Sequence, residues 1–224
     1  MSLYTLTNAV SVFATITTIG QFLSGIPSCR KIVRNGTTGE LSGLPFVAAL
    51  FSCAMWTHYG VLKGDTPLTV VNVIGLLLQV VYIIVFWKYS ASKNHINQQT
   101  ASSLGAVLLI IIATRMLTEN KEEAVLYQGL ICCVATCFFC AAPLATLAHV
   151  LRTRNTETLP FIWILMTFLV CSEWLLYGYL IQDVFVQFPN FVGMLLSGIQ
   201  LSLFLFFPSR DYSNKGIIGT SSLP

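Results

Sequence analysis

Trp56-Thr57-His58-Tyr59-Gly60 recurs 118 residues further on as Trp174-Leu175-Leu176-Tyr177-Gly178. In the same register Asp65 returns as Asp183, and Asn72-Val73-Ile74-Gly75 returns as Asn190-Phe191-Val192-Gly193. Most residues between these anchors differ, yet the register never slips. Weak internal symmetry of this kind marks a duplicated unit whose two copies face one another across a shared site.

The surrounding composition places that unit in a membrane. Of 224 residues, 55% are hydrophobic and 9% are charged, and the mean hydropathy is +0.75. A soluble domain carries about 25% charged residues. A bilayer hides this much apolar sequence, because each spanning helix needs roughly 20 mainly apolar residues. Seven spans are predicted, at 5–27, 43–62, 67–87, 102–118, 124–148, 159–180 and 186–207. Their length and unbroken apolar character suit helices rather than barrel strands, since backbone groups in hydrocarbon must be paired internally. The predicted fold class is therefore all-α, a polytopic membrane protein with the lipid bilayer as its partner.

Several classes fall away on composition. The net charge of +3 is too small and scattered to suggest nucleic acid. The seven cysteines, Cys29, Cys53, Cys132, Cys133, Cys137, Cys140 and Cys171, lie in or beside apolar segments. They lack zinc-ligand spacing with a histidine and read as buried packing residues. No cofactor or metal is expected. The first apolar stretch has no basic residue ahead of it, so a cleavable signal peptide is not expected.

Helices 1–3 repeat as helices 5–7, and helix 4 has no counterpart. A three-helix repeat would be inverted on reinsertion; one extra helix restores its direction. The expected organisation is 1–98 for the first three-helix bundle, 99–120 for the linker helix, 121–207 for the second bundle and 208–224 for a short disordered tail. The two bundles are then parallel, related by an axis along the membrane normal. With the N-terminus outside, nine basic residues fall on the cytoplasmic side: Arg30, Lys31, Arg34, Lys88, Lys93, Arg152, Arg154, Arg210 and Lys215. Three, Lys63, Arg115 and Lys121, fall outside, so the positive-inside bias supports this orientation. It leaves the sequon Asn35-Gly36-Thr37 cytoplasmic and unglycosylated.

Four groups of residues carry chemistry. Pro27, Pro45, Pro143 and Pro160 sit at the predicted cytoplasmic ends of helices 1, 2, 5 and 6. Proline removes a backbone donor and clashes with the preceding turn. Proline near a membrane-helix end is also ordinary, but a fourfold set matched across the repeat favours hinges. Asn72 and Asn190 each offer two donors and an acceptor, which suits hydroxyl groups without attracting ions. Helix–helix bonding is the plainer reading of one such amide; duplication at one depth favours a shared site. Trp56 and Trp174 offer a flat apolar face and an N–H donor, the alternatives being core packing or an interfacial belt. One turn earlier Ser52 and Val170 share that face and are expected to set pocket size. Tyr59 and Tyr177 end helices 2 and 6, and Asp183 follows. A Tyr–Asp bond across the bundles would close the outer mouth, the plainer reading being interfacial tyrosines and a solvated carboxylate. Glu173, whose repeat counterpart is Met55, is a charge in a costly place. It is expected near the outer surface, protonated, or paired with His58.

The 3+1+3 arrangement, one proline in each of four helices, the paired Trp-x-x-Tyr-Gly motifs and the paired asparagines resemble the SWEET family of sugar facilitators over nearly the whole chain. The short tail and loops resemble an animal member more than a plant one. The resemblance implies a proline tetrad hinging an inner gate, asparagines in the sugar pocket, and an outer Tyr–Asp gate. It implies facilitated, bidirectional movement of small sugars such as glucose, at the plasma membrane or the Golgi, and no enzymatic activity. A single chain already holds both halves of the pathway, so a homo-oligomer would serve stability or regulation. The other reading is a proton-coupled exporter resembling lysosomal Pro-Gln-loop amino acid transporters. Here the four prolines precede Ser28, Phe46, Leu144 and Phe161, so that dipeptide is absent, and Glu173 is the residue that would suit it. A seven-helix receptor would carry no 3+1+3 repeat.

Overall fold

The computed structural model describes residues 2–139, 141–157 and 159–207. The expected disordered tail, including Arg210 and Lys215, lies outside the described residues, as does Cys140. Among the described residues, helical segments make up seven spans long and apolar enough to cross a membrane. The first span is interrupted at Ser24, between α1 (Leu3–Leu23) and α2 (Gly25–Asn35); the fifth is described as α6 (Lys121–Phe139) and α7 (Ala141–Thr153), on either side of Cys140. The others are α3 (Leu44–Lys63), α4 (Thr66–Tyr89), α5 (Lys93–Leu117), α8 (Phe161–Leu180) and α9 (Val184–Phe206).

The prolines take different places in their helices. Pro27 lies within one turn of the break in the first span, and Pro143 lies within α7. Each lacks the N–H that its residue four back, Leu23 or Phe139, would accept. Pro45 sits instead in the first turn of α3, and Pro160 is the N-cap of α8. A missing N–H is harmless there, so these two start helices rather than bend them. The linker helix also begins nine residues before its predicted span, at Lys93. Its polar first turns stay helical because Ile96 buries itself against Ile83 and Phe86.

Packing obeys the duplication. In the first bundle α4 lies on α3 and α1; in the second α9 lies on α8 and α6. Between bundles α1 packs on α8 and α3 packs on α6. Shifting α1 and α3 by 118 residues converts either contact into the other, as a pseudo-twofold axis requires. The buried core is shared at one end and divided at the other. Met55, Tyr59, Leu68 and Val71 from the first bundle, Val107 from the linker, and Cys132, Trp174, Tyr177 and Val186 from the second form one cluster. Toward the prolines, Ile32, Val47 and Phe86 form a cluster with the linker's Ile96, while Val150, Ile164 and Leu203 form a separate one in the second bundle. The bundles are thus joined at the tyrosine end and parted at the proline end.

The turn joining α3 to α4 is built like the turn joining α8 to α9. Gly64 (φ 78°) and Gln182 (φ 56°), 118 apart, adopt the left-handed conformation. The next residue, Asp65 or Asp183, donates its N–H to Gly60 or Gly178 at 2.9 and 2.8 Å and then caps the following helix. Gly60 is needed by contact. A Cβ there would stand 2.6 Å from Thr69 Oγ1 and 3.0 Å from the Thr69 backbone nitrogen. Gly60→Ala is therefore expected to lower stability by about 1–3 kcal/mol through overpacking, read as a lower thermal midpoint of the detergent-purified protein. An unchanged midpoint would show that the turn relaxes freely.

Candidate functional site

Two layers of side chains lie where the bundles meet, a small cavity and a seal beside it. The seal uses the tyrosines at the ends of α3 and α8. Tyr59 donates its hydroxyl to Asp183, with the carboxylate oxygens at 2.9 and 2.8 Å. Tyr177 donates to Asp65 Oδ2 at 2.9 Å. Both bonds are buried, and they are one contact written twice in the repeat's register.

Each aspartate has a second duty. Asp65 Oδ1 accepts the Leu68 N–H at 2.9 Å, capping α4. Asp183 Oδ1 accepts the N–H groups of Phe185 and Val186 at 3.0 and 3.3 Å, capping α9. The helix N-terminus favours the charge, and the tyrosine from the other bundle completes the carboxylate's bonding. Symmetry fails at one point. Lys63 reaches Asp183 Oδ2 at 3.1 Å, while its repeat counterpart is Ile181. Burial pushes the Asp65 carboxyl above the usual carboxylate range, against the opposite pull of the Leu68 N–H and the Tyr177 hydroxyl.

Next to this seal is a cavity of about 130 Å³. Its walls are three pairs in the 118-residue register, Trp56 with Trp174, Leu68 with Val186 and Asn72 with Asn190, together with Thr18, Val71 and Val170. Ser52 is half-buried and does not reach the lining; its counterpart Val170 does. Each tryptophan stands edge-on to the seal tyrosine one turn away, at 5.7 Å for Trp56–Tyr59 and 5.4 Å for Trp174–Tyr177. A shift of the indole is therefore transmitted to the seal by direct contact.

Hydrogen bonding inside the protein decides what the cavity has left to offer. Asn72 and Asn190 each donate one amide N–H to the carbonyl four residues back, Leu68 or Val186, at 2.8 Å. Only a nitrogen can donate to a carbonyl, so this fixes the amide orientation and leaves Oδ1 and the second N–H for a ligand. The indole N–H groups, expected as ligand donors, are used internally. Trp174 donates to Thr18 at 2.8 Å and Trp56 to Thr136 at 3.3 Å, both across the bundle boundary. What the tryptophans present to the cavity is their apolar face.

Some of this was missed from sequence. Thr18 and Thr136, Asp65 as acceptor for Tyr177, and the lining positions Leu68, Val71 and Val186 were not singled out. The 118-residue register carried a signal for the first two, since Thr18 and Thr136 are themselves repeat mates. Glu173 pairs with the Thr17 hydroxyl of α1, not with His58. A second polar contact, Gln21 Nε2 to Thr167 Oγ1 at 2.8 Å, lies along the same seam.

Comparison with known proteins agrees with this duplication. A family model described as a sugar efflux transporter for intercellular exchange matches residues 8–94 and again 126–212, ranges 118 residues apart. The chain is similar to the sugar transporter SWEET1 of Drosophila pseudoobscura pseudoobscura, 42% identical over 92% of each chain. It is 33% identical to the Homo sapiens protein of that name, over 91% of this chain and 92% of the other. A solved eukaryotic SWEET transporter superposes with a TM-score of 0.84 at 28% identity, over 92% of this chain and 98% of that one.

The two seal bonds are expected to differ in value because Asp183 keeps Lys63 and two capping N–H groups when its tyrosine is lost, whereas Asp65 keeps one. Tyr177→Phe should cost about 1.5–3 kcal/mol, the range for a bond to a charged acceptor, and Tyr59→Phe clearly less. Thermal unfolding of both variants, with and without Lys63→Met, tests this. Equal losses in the Lys63 background would contradict the ordering.

Proposed function

This chain belongs to the SWEET family of sugar transporters, and from that membership we propose that it is a bidirectional uniporter of small sugars such as glucose, working by alternating access. The family is one of transporters and not of enzymes, and the seven spans make the chain an integral membrane protein. The observation that carries the reading is the cavity lining: two amides and two indole faces in the repeat's register, with no ionisable side chain. Amides meet hydroxyls as donor and acceptor, and indole faces meet the C–H face of a sugar ring. An uncharged lining selects an uncharged cargo, and modest binding allows release on either side.

The conformational support is the core shared at the tyrosine end and divided at the proline end. In this form the outer gate, Tyr59–Asp183 with Tyr177–Asp65, is closed. The inner ends move about Pro27, beside the break at Ser24, and about its repeat partner Pro143, and Pro45 and Pro160 mark where the second and sixth spans begin. Arg30, Lys31, Arg34, Lys88, Lys93, Arg152 and Arg154 lie toward the proline end, which the positive-inside bias makes cytoplasmic. The N-terminus is then external or lumenal, at the plasma membrane or the Golgi. In this reading residues 1–98 and 121–207 are the two moving halves and 99–120 the linker.

Radiolabelled glucose uptake into proteoliposomes, with and without a pH gradient, tests the mechanism. Uptake is expected without the gradient, with the initial rate falling about tenfold in Asn72→Ala and in Asn190→Ala as each amide's bonds are lost. Uptake that requires a proton gradient would favour the coupled exporter and direct attention to Glu173. Orientation has its own test. Asn35 is exposed at the end of α2, so its sequon would be modified if it faced the lumen; glycosidase treatment of protein from eukaryotic cells should leave its gel mobility unchanged.

A further inference from the structure

The linker helix leaves a groove that neither the cavity nor the seal uses. α5 packs mainly on α3 and touches α4 only lightly, so its first half stands apart from the end of α4. The space between them is about 440 Å³. Ile83, Ile84 and Trp87 of α4 line one side, and Asn97, Thr100 and Leu104 of α5 line the other. Ile84, Trp87 and Leu104 are exposed, so the groove opens toward the lipid. Because α5 has no counterpart in the repeat, the second bundle supplies no copy of it.

The walls grade from charge to hydrocarbon. On α5, Lys93, Asn97, Thr100 and Leu104 follow at helical spacing and so share one face. Followed into the membrane, that stripe passes from a cation through an amide and a hydroxyl to an aliphatic side chain. It covers about 16 Å along the axis. In a bilayer whose hydrocarbon core is roughly 30 Å thick, that reaches from a headgroup to about the middle of one leaflet. On α4, Trp87 stands at the mouth, with Ile83 and Ile84 one turn deeper. Lys93 Nζ lies 4.7 Å from the centroid of the Trp87 ring, which holds the ammonium at the mouth. Lys88 adds a second cation at this end, its Nζ 5.5 Å from the Tyr89 ring. Residues 66–118 contain no Asp or Glu, so neither wall supplies a carboxylate to neutralise the lysines.

We infer that this groove is a binding site for one anionic phospholipid. Its phosphate sits beside Lys93, its glycerol esters face Asn97 and Thr100, and an acyl chain lies along Ile83, Ile84 and Leu104. A groove open to hydrocarbon fills with chain, because wall atoms without neighbours forgo their dispersion contacts. The lysines then select the headgroup, since each basic residue near the surface favours anionic lipid. Asn97 has amide donors for an ester carbonyl. A second copy of the chain fits less well, because a twofold contact here would set lysine against lysine. The orientation proposed above makes this the cytoplasmic leaflet, the one that carries anionic lipids; the site itself does not depend on the transport reading. Ile96 of α5 already buries itself against Ile83 and Phe86. A lipid in the groove extends that contact and fastens the linker to the first bundle.

Native mass spectrometry of the full-length, delipidated protein in detergent tests this, with dioleoyl phosphatidylserine and dioleoyl phosphatidylcholine as probes. A single phosphatidylserine per chain is expected to bind more tightly than phosphatidylcholine. Lys93→Gln should weaken phosphatidylserine about fivefold, the share of one basic residue near a charged surface, and leave phosphatidylcholine unchanged. Leu104→Trp, which fills the chain path, should weaken both. Leu104 and Ile84 are both exposed, so Ile84→Trp takes its place if that variant fails to fold. Equal affinity for the two lipids, or phosphatidylserine binding untouched by Lys93→Gln, would overturn the site. A lipid-free dimer that Leu104→Trp dissociates would also overturn it and give the groove to a second copy.

Discussion

A buried carboxylate has to be paired, and here each bundle supplies the partner for the other's. Asp65 and Asp183 cannot be satisfied within their own three helices. One lobe of each carboxylate caps its own third helix, and what remains faces the opposite bundle, where Tyr177 or Tyr59 meets it. Two parallel bundles are therefore held face to face at one end, and the shared core forms around that junction. For the proposed transport cycle the same placement suits a reversible junction. Both aspartates stand in the turns between spans, near the membrane surface, so water can replace the tyrosines when the bundles separate. A carboxylate at mid-bilayer would lack that substitute.

The duplicated register made the architecture legible before any coordinates. Trp56/Trp174, Tyr59/Tyr177, Asp65/Asp183 and Asn72/Asn190 occupy corresponding places, and the structure brings all four pairs to one boundary. The break in the first span was less legible. Leu23-Ser24-Gly25-Ile26 holds a Ser-Gly pair, a turn signal, but hydropathy averaged over a whole span reads across it. A proline also does not announce its place in a helix. Pro27 and Pro45 look alike in sequence, yet one follows a break and the other begins a helix, and span ends read from sequence are too uncertain to separate the two. The indole N–H groups were misjudged for a related reason. Composition shows a donor, but only packing shows that Thr18 and Thr136 already accept it.

Departures from symmetry concentrate on one side. Glu173 with Thr17 and Gln21 with Thr167 place polar contacts in the α1–α8 seam. Their repeat mates, Met55 with Ala135 and Ala49 with Phe139, have no polar side chain to offer. Near the cavity Val71 is matched by Pro189, a proline inside α9 that leaves the Phe185 carbonyl without its helical donor. Cys133 Sγ lies 3.4 Å from that carbonyl and supplies a weak donor instead. A half-buried cysteine read as packing thus also meets the carbonyl that the proline next to Asn190 leaves open.

These asymmetries bear on how a twofold frame handles an asymmetric cargo. A sugar ring has no twofold axis, so it cannot use both halves of a symmetric cavity equally. In the proposed reading the paired asparagines and tryptophans supply the general contacts to a hydroxylated ring. Discrimination then falls to positions where the halves differ: Val170 lines the cavity while Ser52 does not, and Thr18 does while Thr136 does not. Each bundle contributes one of these walls, Thr18 from the first and Val170 from the second, and Pro189 inside α9 adjoins Asn190. In that reading duplication serves the proposed gate and hinges, whose work is symmetric, and divergence between the copies serves recognition, whose object is not.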